Sequence, residues 1–252
     1  MHHSNCIVAA VQYKPEILDV QKNLATAQQH VFEAAGKGAK VIVLPELCTS
    51  GYVLRSKVEA ASVAQERDGY QTEAFIPLAK KFNCKIIFGY VELKEGKLYN
   101  SAAVIGPNGC EMNIQKHNLW GSDSLWATAS EGIFPVLPTS AGRLGVLICR
   151  DVMNNYRESY KFYKSEAKFY KNGSVDTIAL LTNWGADYGY PDNSWMELAE
   201  ETGANVIVSN RVGNERDLKF KGGSCVIDRT QKVWTNGSSF TEAAVVGGVV
   251  LL

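Results

Sequence analysis

The chain has no excess of charge of either sign. Lys and Arg together number 26 and Asp and Glu 26, so the formal net charge is zero. There is no basic stripe to meet a phosphate backbone and no block of like charge to form a tail; nucleic acid is not expected as a partner. Long hydrophobic runs are also missing. The longest, AAVVGGVVLL at residues 243–252, falls short of the roughly 18–20 apolar residues of a membrane span and reads as a terminal strand, so no membrane partner is expected. The opening MHHSNCIVAAVQY lacks the basic-then-apolar pattern of a secretory leader. The six cysteines are scattered without a Cys-x-x-Cys pair, and none of the four histidines stands at zinc-ligand spacing. No metal site and no disulfide framework is expected, and a reducing, cytoplasmic setting is. No Gly-x-x-x-x-Gly-Lys-Ser/Thr phosphate loop occurs anywhere.

What is present is core-forming material: 46% hydrophobic and 21% charged residues over 252 positions, enough for one large α/β domain or two small ones. Ile7–Tyr13 reads as a buried strand. Leu24, Ala27, Val31, Phe32 and Ala35 recur at helical spacing across Val20–Lys37, and Val41–Glu46 is the next strand. A strand–helix–strand unit of this length implies a parallel pair with a right-handed crossover. A helix over Glu73–Phe82 and a strand over 85–93 follow. The stretch LYNSAAVIG then runs through Pro107-Asn108-Gly109 into CEMNIQK as a hairpin. Beyond a polar, aromatic loop at 117–130, RLGVLIC, TIALLTNWG and NVIVSNRVG read as strands. Helices are expected from Asp151 onward and over 193–203, and two further strands close the chain. No linker or repeat interrupts residues 1–252, which read as a single β-rich α/β domain with helices covering sheet faces.

Three strand ends carry reactive side chains: Glu46 after VIVLP, Lys116 after CEMNIQ and Cys149 after RLGVLI. Ligands collect outside the carboxyl ends of strands in open α/β sheets. Taken singly, a strand-end Glu caps a turn, a Lys is solvated, and a Cys flanked by apolar residues is inert core. Together they form a chemical set. A thiol attacks an acyl carbon only as thiolate, and its free pKa is about 8.5. Glu46 can take that proton and later give it to a leaving amine. Lys116 and the backbone N–H of Arg150 can hold the oxyanion. Such a set supports acyl transfer through a thioester with water as acceptor, and needs no metal or organic cofactor.

The segments VLPELCTSGY, NIQKHNL and LGVLICRD, in that order, resemble the three signature segments of the carbon–nitrogen hydrolases, the nitrilase superfamily; GANVIVSNRVG and FKGGSCVID resemble two later ones. The resemblance covers essentially the whole chain. It implies a four-layer α-β-β-α sandwich, assembly as a homodimer or higher homo-oligomer, and Glu46, Lys116 and Cys149 as base, lysine and nucleophile. Members of the family often carry a second glutamate between the lysine and the cysteine. Here the only acids in that loop are Asp123 and Glu131, and Asp123 is the better stand-in. The elbow CRDVMNNYRESY has Arg150 where an aromatic is usual and lacks Phe-Pro-Glu. Arg150 is read either as a carboxylate-orienting group or as a structural ion-pair partner of Asp151 or of another subunit. Tyr52, Trp120, Trp126, Asn183, Trp184 and Tyr188 are candidate pocket walls, and Asn210 and Arg211 candidate supports at the site edge. The implied activity is hydrolysis of a small linear amide, a terminal carboxamide or a carbamoyl-amine. The alternatives are a small aliphatic nitrile, an ammonia-supplying glutaminase working with a separate partner, and a non-catalytic scaffold of the same fold.

Overall fold

The structure, a computed structural model, describes residues 4–152, 175–185, 193–234 and 241–251. Strands are numbered in chain order. The first sheet contains β1 (Ser4–Gln12), β2 (Val41–Val43), β3 (Lys85–Lys94), β4 (Lys97–Gly106), β5 (Gly109–Gln115) and β14 (Ala243–Leu251), in the order β14-β1-β2-β3-β4-β5. The strands β1, β2 and β3 are parallel, with β14 antiparallel on one side and the β4–β5 meander on the other. The second sheet contains β6 (Leu137–Thr139), β7 (Gly142–Ile148), β8 (Thr177–Thr182), β9 (Asn205–Asn210), β12 (Cys225–Ile227) and β13 (Val233–Trp234), in the order β13-β12-β9-β8-β7-β6. Its centre, β7-β8-β9, is again parallel. Between β9 and β12 lies a separate hairpin of β10 (Val212–Glu215) and β11 (Leu218–Lys221).

Period-two alternation sorts the side chains into layers. Val8, Ala10, Val41, Val43, Ile87, Ala102 and Val104 of the first sheet cluster with Val146, Ile178, Leu180, Val206 and Val208 of the second. The intervening Ala9, Val11, Ile42, Leu44, Ile86, Phe88, Ala103 and Ile105 join Leu24, Ala27, Val31 and Ala34 of helix α1 (Val20–Gly36) in the outer layer. Burial on both faces explains why these strands read as unbroken apolar runs. The architecture is the α-β-β-α sandwich, with α5 (Asn193–Thr202) supplying Trp195, Leu198 and Ala199 to the second sheet's cluster. Each fully buried Val, Leu or Ile contributes roughly 1.5–3 kcal/mol, so any charged side chain in these layers needs a specific partner.

Several boundaries differ from the sequence reading for local reasons. The helix expected over Glu73–Phe82 is two helices, α3 (Tyr70–Glu73) and α4 (Ile76–Phe82), preceded by α2 (Lys57–Val63). Pro77 sits in the first turn of α4, where its missing N–H costs no hydrogen bond, and it forces a fresh start. The helix expected after Asp151 begins as a 3-10 turn, Cys149–Val152, and the rest lies outside the described residues. The strand expected over Val41–Glu46 ends at Val43. Leu44 still donates to the Ile87 carbonyl (2.8 Å), and Pro45 accepts from the Gly89 N–H (3.3 Å), before the chain turns away at Glu46. Gly89 makes this turn possible: a Cβ there would lie 2.4 Å from the Leu47 nitrogen and 2.7 Å from the Glu46 Cα.

Candidate active site

Glu46 follows β2 and Lys116 follows β5 in the first sheet, while Cys149 follows β7 in the second. The side chains therefore approach one another across the sandwich. Lys116 Nζ stands 2.7 Å from Glu46 Oε1 and 2.6 Å from Asp123 Oδ2, and all three side chains are fully buried. Asn100 Nδ2 donates to the same two oxygens, at 2.8 Å and 3.2 Å. The second Glu46 oxygen accepts from Asn183 Nδ2 (3.1 Å), which also holds the Glu46 carbonyl (2.9 Å). The carboxylate of Glu46 is thus fixed at both oxygens, as an orienting network must do to be better than an apolar core.

Cys149 is buried and opens its 3-10 turn in the left-handed region, at φ 48°. Leu47, directly after Glu46, is left-handed too, at φ 46°. That conformation costs a residue with a Cβ roughly 1–2 kcal/mol and is tolerated where the surroundings fix it. Burial and the neighbouring Glu46 charge push the Cys149 thiol well above its ordinary value, against the pull of Lys116 and a hydrogen bond from the Asn183 backbone. That direction favours the thiol over the thiolate, so attack by sulfur would need a base beside it. Burial alone would lower the Lys116 ammonium, but Glu46, Asp123 and Cys149 together hold it well above its ordinary value, so it stays charged. Burial raises the Asp123 carboxyl, with Lys116 opposing and Glu46 adding to the rise.

Asp151 joins the two halves of the site. Its Oδ1 accepts from the backbone N–H of His117 (3.2 Å) and Asn118 (2.9 Å), and its Oδ2 from Ile148 N–H (3.2 Å). The segment after Lys116 is thereby tied to the strand end before Cys149. Burial pushes the Asp151 carboxyl up to about 7, against the Asn118 N–H and the Lys116 charge. Because the folded value lies above the ordinary 3.8, the folded state binds the extra proton between 3.8 and about 7. Its contribution to stability is therefore present at low pH and lost as pH rises through about 7. Protonation weakens the carboxyl as an acceptor for these three N–H groups, so turnover is expected to fall over the interval in which stability rises. Asp151→Asn cannot titrate and is expected to lose both dependences, as read by urea midpoints and rate against pH.

The remaining candidates separate clearly. Asp123, the stand-in for a second acid in the sequence, sits on Lys116, whereas Glu131 is exposed. Tyr52 is buried, and its hydroxyl donates to the Trp120 carbonyl (2.9 Å). Trp120 is 50% exposed, and the Arg150 guanidinium lies over its ring at 3.5 Å. Both Asp151 oxygens accept from backbone N–H groups. Trp126 is sealed in the outer-layer cluster. Trp184 meets Trp195 of α5 edge-on at 5.8 Å and is held by Asn210 (2.8 Å). Tyr188 lies outside the described residues.

Asn100 was missed by sequence reasoning. Its one signal is a polar pair, Asn100-Ser101, fully buried in the middle of an apolar strand: Asn100 serves Glu46 and Asp123, while Ser101 donates to Glu92 (2.6 Å). Among the described residues no cluster of three or more His, Cys, Asp or Glu side chains is placed to hold a metal ion, and no described helix is long and apolar enough to cross a membrane.

A sandwich of two mixed sheets with a buried lysine bridging two carboxylates beside a strand-end cysteine defines a class. The carbon–nitrogen hydrolase family pattern matches residues 7–250, and the chain belongs to that family, within the nitrilase superfamily. It is 29% identical to a nitrilase of Pyrococcus abyssi over 245 residues, covering 97% of this chain and 89% of the relative. Its fold matches an amidase of Nesterenkonia from the nitrilase superfamily, with a TM-score of 0.84 at 21% identity, covering 98% of this chain and 92% of that one. It also matches a glutamine-dependent NAD+ synthetase of Acinetobacter baumannii, with a TM-score of 0.79 at 24% identity, over 97% of this chain but only 45% of the synthetase.

Proposed function

We propose that the chain hydrolyses the C–N bond of a small linear amide, a terminal carboxamide or a carbamoyl-amine, through a thioester on Cys149. The observation that carries this reading is the buried Lys116 held between Glu46 and Asp123, with the buried Cys149 at the neighbouring strand end. Glu46 takes the thiol proton as sulfur attacks the carbonyl carbon, acting as general base. The oxygen of the tetrahedral adduct is held by the Lys116 ammonium and the Arg150 N–H, whose worth is highest in a water-poor site. Collapse breaks the C–N bond, and the proton held by Glu46 goes to the departing ammonia or amine. A water molecule, deprotonated by Glu46, then attacks the thioester; the acid leaves and the thiol is restored. Asp123 keeps Lys116 charged and aimed while Glu46 gains and loses its proton.

The test is intact-mass spectrometry of the protein exposed separately to ω-amides including glutamine, carbamoyl-amines and short nitriles, with ammonia measured in parallel. An acyl adduct mapped to Cys149, with ammonia from amides or carbamoyl compounds, is the expected result. Turnover of nitriles but not amides would replace the amide reading with the nitrilase one. Turnover of an amide with no dependence on Cys149 would overturn the mechanism.

A further inference from the structure

The loop that leaves Glu46 is held from far along the chain. Glu215, the last residue of β10, is buried, and its Oε1 accepts from two successive backbone N–H groups, Tyr52 (2.8 Å) and Val53 (2.6 Å). Its Oε2 pairs with Arg211 Nη1 at 2.6 Å. Arg211 is fully buried, donates to the Pro15 carbonyl (3.1 Å), and stands 4.5 Å from the centre of the Phe220 ring. The approach depends on Gly51, at φ 81°, where a Cβ would lie 2.7 Å from Glu215 Oε2.

Tyr52 passes the constraint on. Its hydroxyl donates to the Trp120 carbonyl (2.9 Å), its carbonyl accepts from Ser122 Oγ (2.8 Å), and its ring meets Phe220 edge-on at 6.2 Å. The Trp120 N–H bonds Asp123 Oδ1, and Asp123 Oδ2 holds Lys116. An unbroken set of contacts therefore runs from Arg211 and Glu215 through Tyr52 to the short turn Gly121–Leu125 that carries Asp123. A buried ion pair is a weak source of stability, often replaceable by apolar residues at no loss. What an apolar residue cannot supply is an acceptor for two adjacent buried N–H groups.

We propose that Glu215 is a positioning residue of the active site: by accepting from Tyr52 and Val53 it fixes the turn that brings Asp123 onto Lys116. This rests on the reading of Cys149, Lys116 and Asp123 as the reacting set. The role is separated from simple stability by two double variants that both remove the buried charges, Arg211→Met/Glu215→Gln and Arg211→Met/Glu215→Leu. Only the glutamine keeps an acceptor for the two N–H groups.

Two readouts are compared between them. Hydrogen exchange follows backbone amides at 52–53 and 119–127, and peptide mapping follows the rate at which iodoacetamide alkylates Cys149, with its pH profile. The leucine variant is expected to exchange faster in both segments and to alkylate Cys149 about tenfold or more slowly, with a shifted profile; misplacement of even about 1 Å can cost that much or more. The glutamine variant is expected to stay within about threefold of wild type, on the same geometric ground. Equal exchange in the two variants would overturn the proposal, and so would faster exchange with unchanged Cys149 reactivity. Wild-type Cys149 alkylating no faster than the half-buried Cys110 would instead overturn the assignment of the nucleophile, and the exchange arm would still decide the clamp.

Discussion

Replacing Cys149 with alanine is expected to lower ammonia release by about 10⁴-fold or more, the scale of removing a nucleophile that acts together with its base. The fold is expected to survive. Alanine keeps a Cβ at the left-handed position, and losing one buried sulfur costs on the order of 1 kcal/mol. The contacts of Glu46 with Lys116, Asn100 and Asn183 do not pass through the thiol. Cys149→Ser is expected to fail nearly as completely, because a hydroxyl is harder to deprotonate than a thiol. Ammonia release and urea midpoints on the same preparations check both statements. Retention of a tenth of wild-type turnover by Cys149→Ala would remove the cysteine from the mechanism.

Lys116→Met is expected to have the largest effect on stability. The lysine pairs with both Glu46 and Asp123, and all three side chains are fully buried. Its loss leaves two carboxylates buried without their countercharge, a change that costs about 3–5 kcal/mol at neutral pH. The pH dependence has a definite sign. In wild type the Lys116 value is raised above the ordinary 10.5, so its contribution is fully present below 10.5 and is lost as pH rises through the folded value. In the methionine variant Asp123, whose carboxyl is raised by burial and held down by Lys116, loses that opposing charge, so the deficit should shrink as pH falls. Urea midpoints of wild type and variant at acidic and neutral pH measure that gap. A gap that stays constant, or widens toward low pH, would mean that the two carboxylates do not depend on Lys116. Turnover should fall as well, and more in kcat than in KM, since a charge stabilising an oxyanion acts mainly in the transition state.

Several parts of this molecule were legible without coordinates because they depend on short-range regularities. The β1–α1–β2 unit was legible because helical spacing over 20–37 lies between two apolar strands, and α1 forms over Val20–Gly36. The meander at 97–115 was legible from one turn signal, Pro107-Asn108-Gly109. Glu46, Lys116 and Cys149 stood out because each stands at the end of a strand-like segment, and the structure brings Glu46 and Lys116 to 2.7 Å. The sequence did not mark the break in the helix over 73–82, the short end of β2, or the β10–β11 hairpin. The first two depend on where a proline and a glycine fall relative to a neighbouring element, and the hairpin's burial pattern is too irregular for either period.

The chain by itself determined its family, its strand-and-helix order and the residue types available for acyl chemistry, since all three are written in local pattern and ordered motifs. Only the tertiary structure decided which polar residues serve that chemistry. Asn100 lies 54 residues from Glu46, Asn183 lies 137 from it, and Glu215 lies 163 from Tyr52. A buried charge must find its partners wherever the packed layers place them, and separation along the chain carries no record of that meeting. Asp123 shows the same division within seven residues of Lys116: its position in a loop was readable, but its burial against the ammonium is set by Tyr52 and the hairpin behind it.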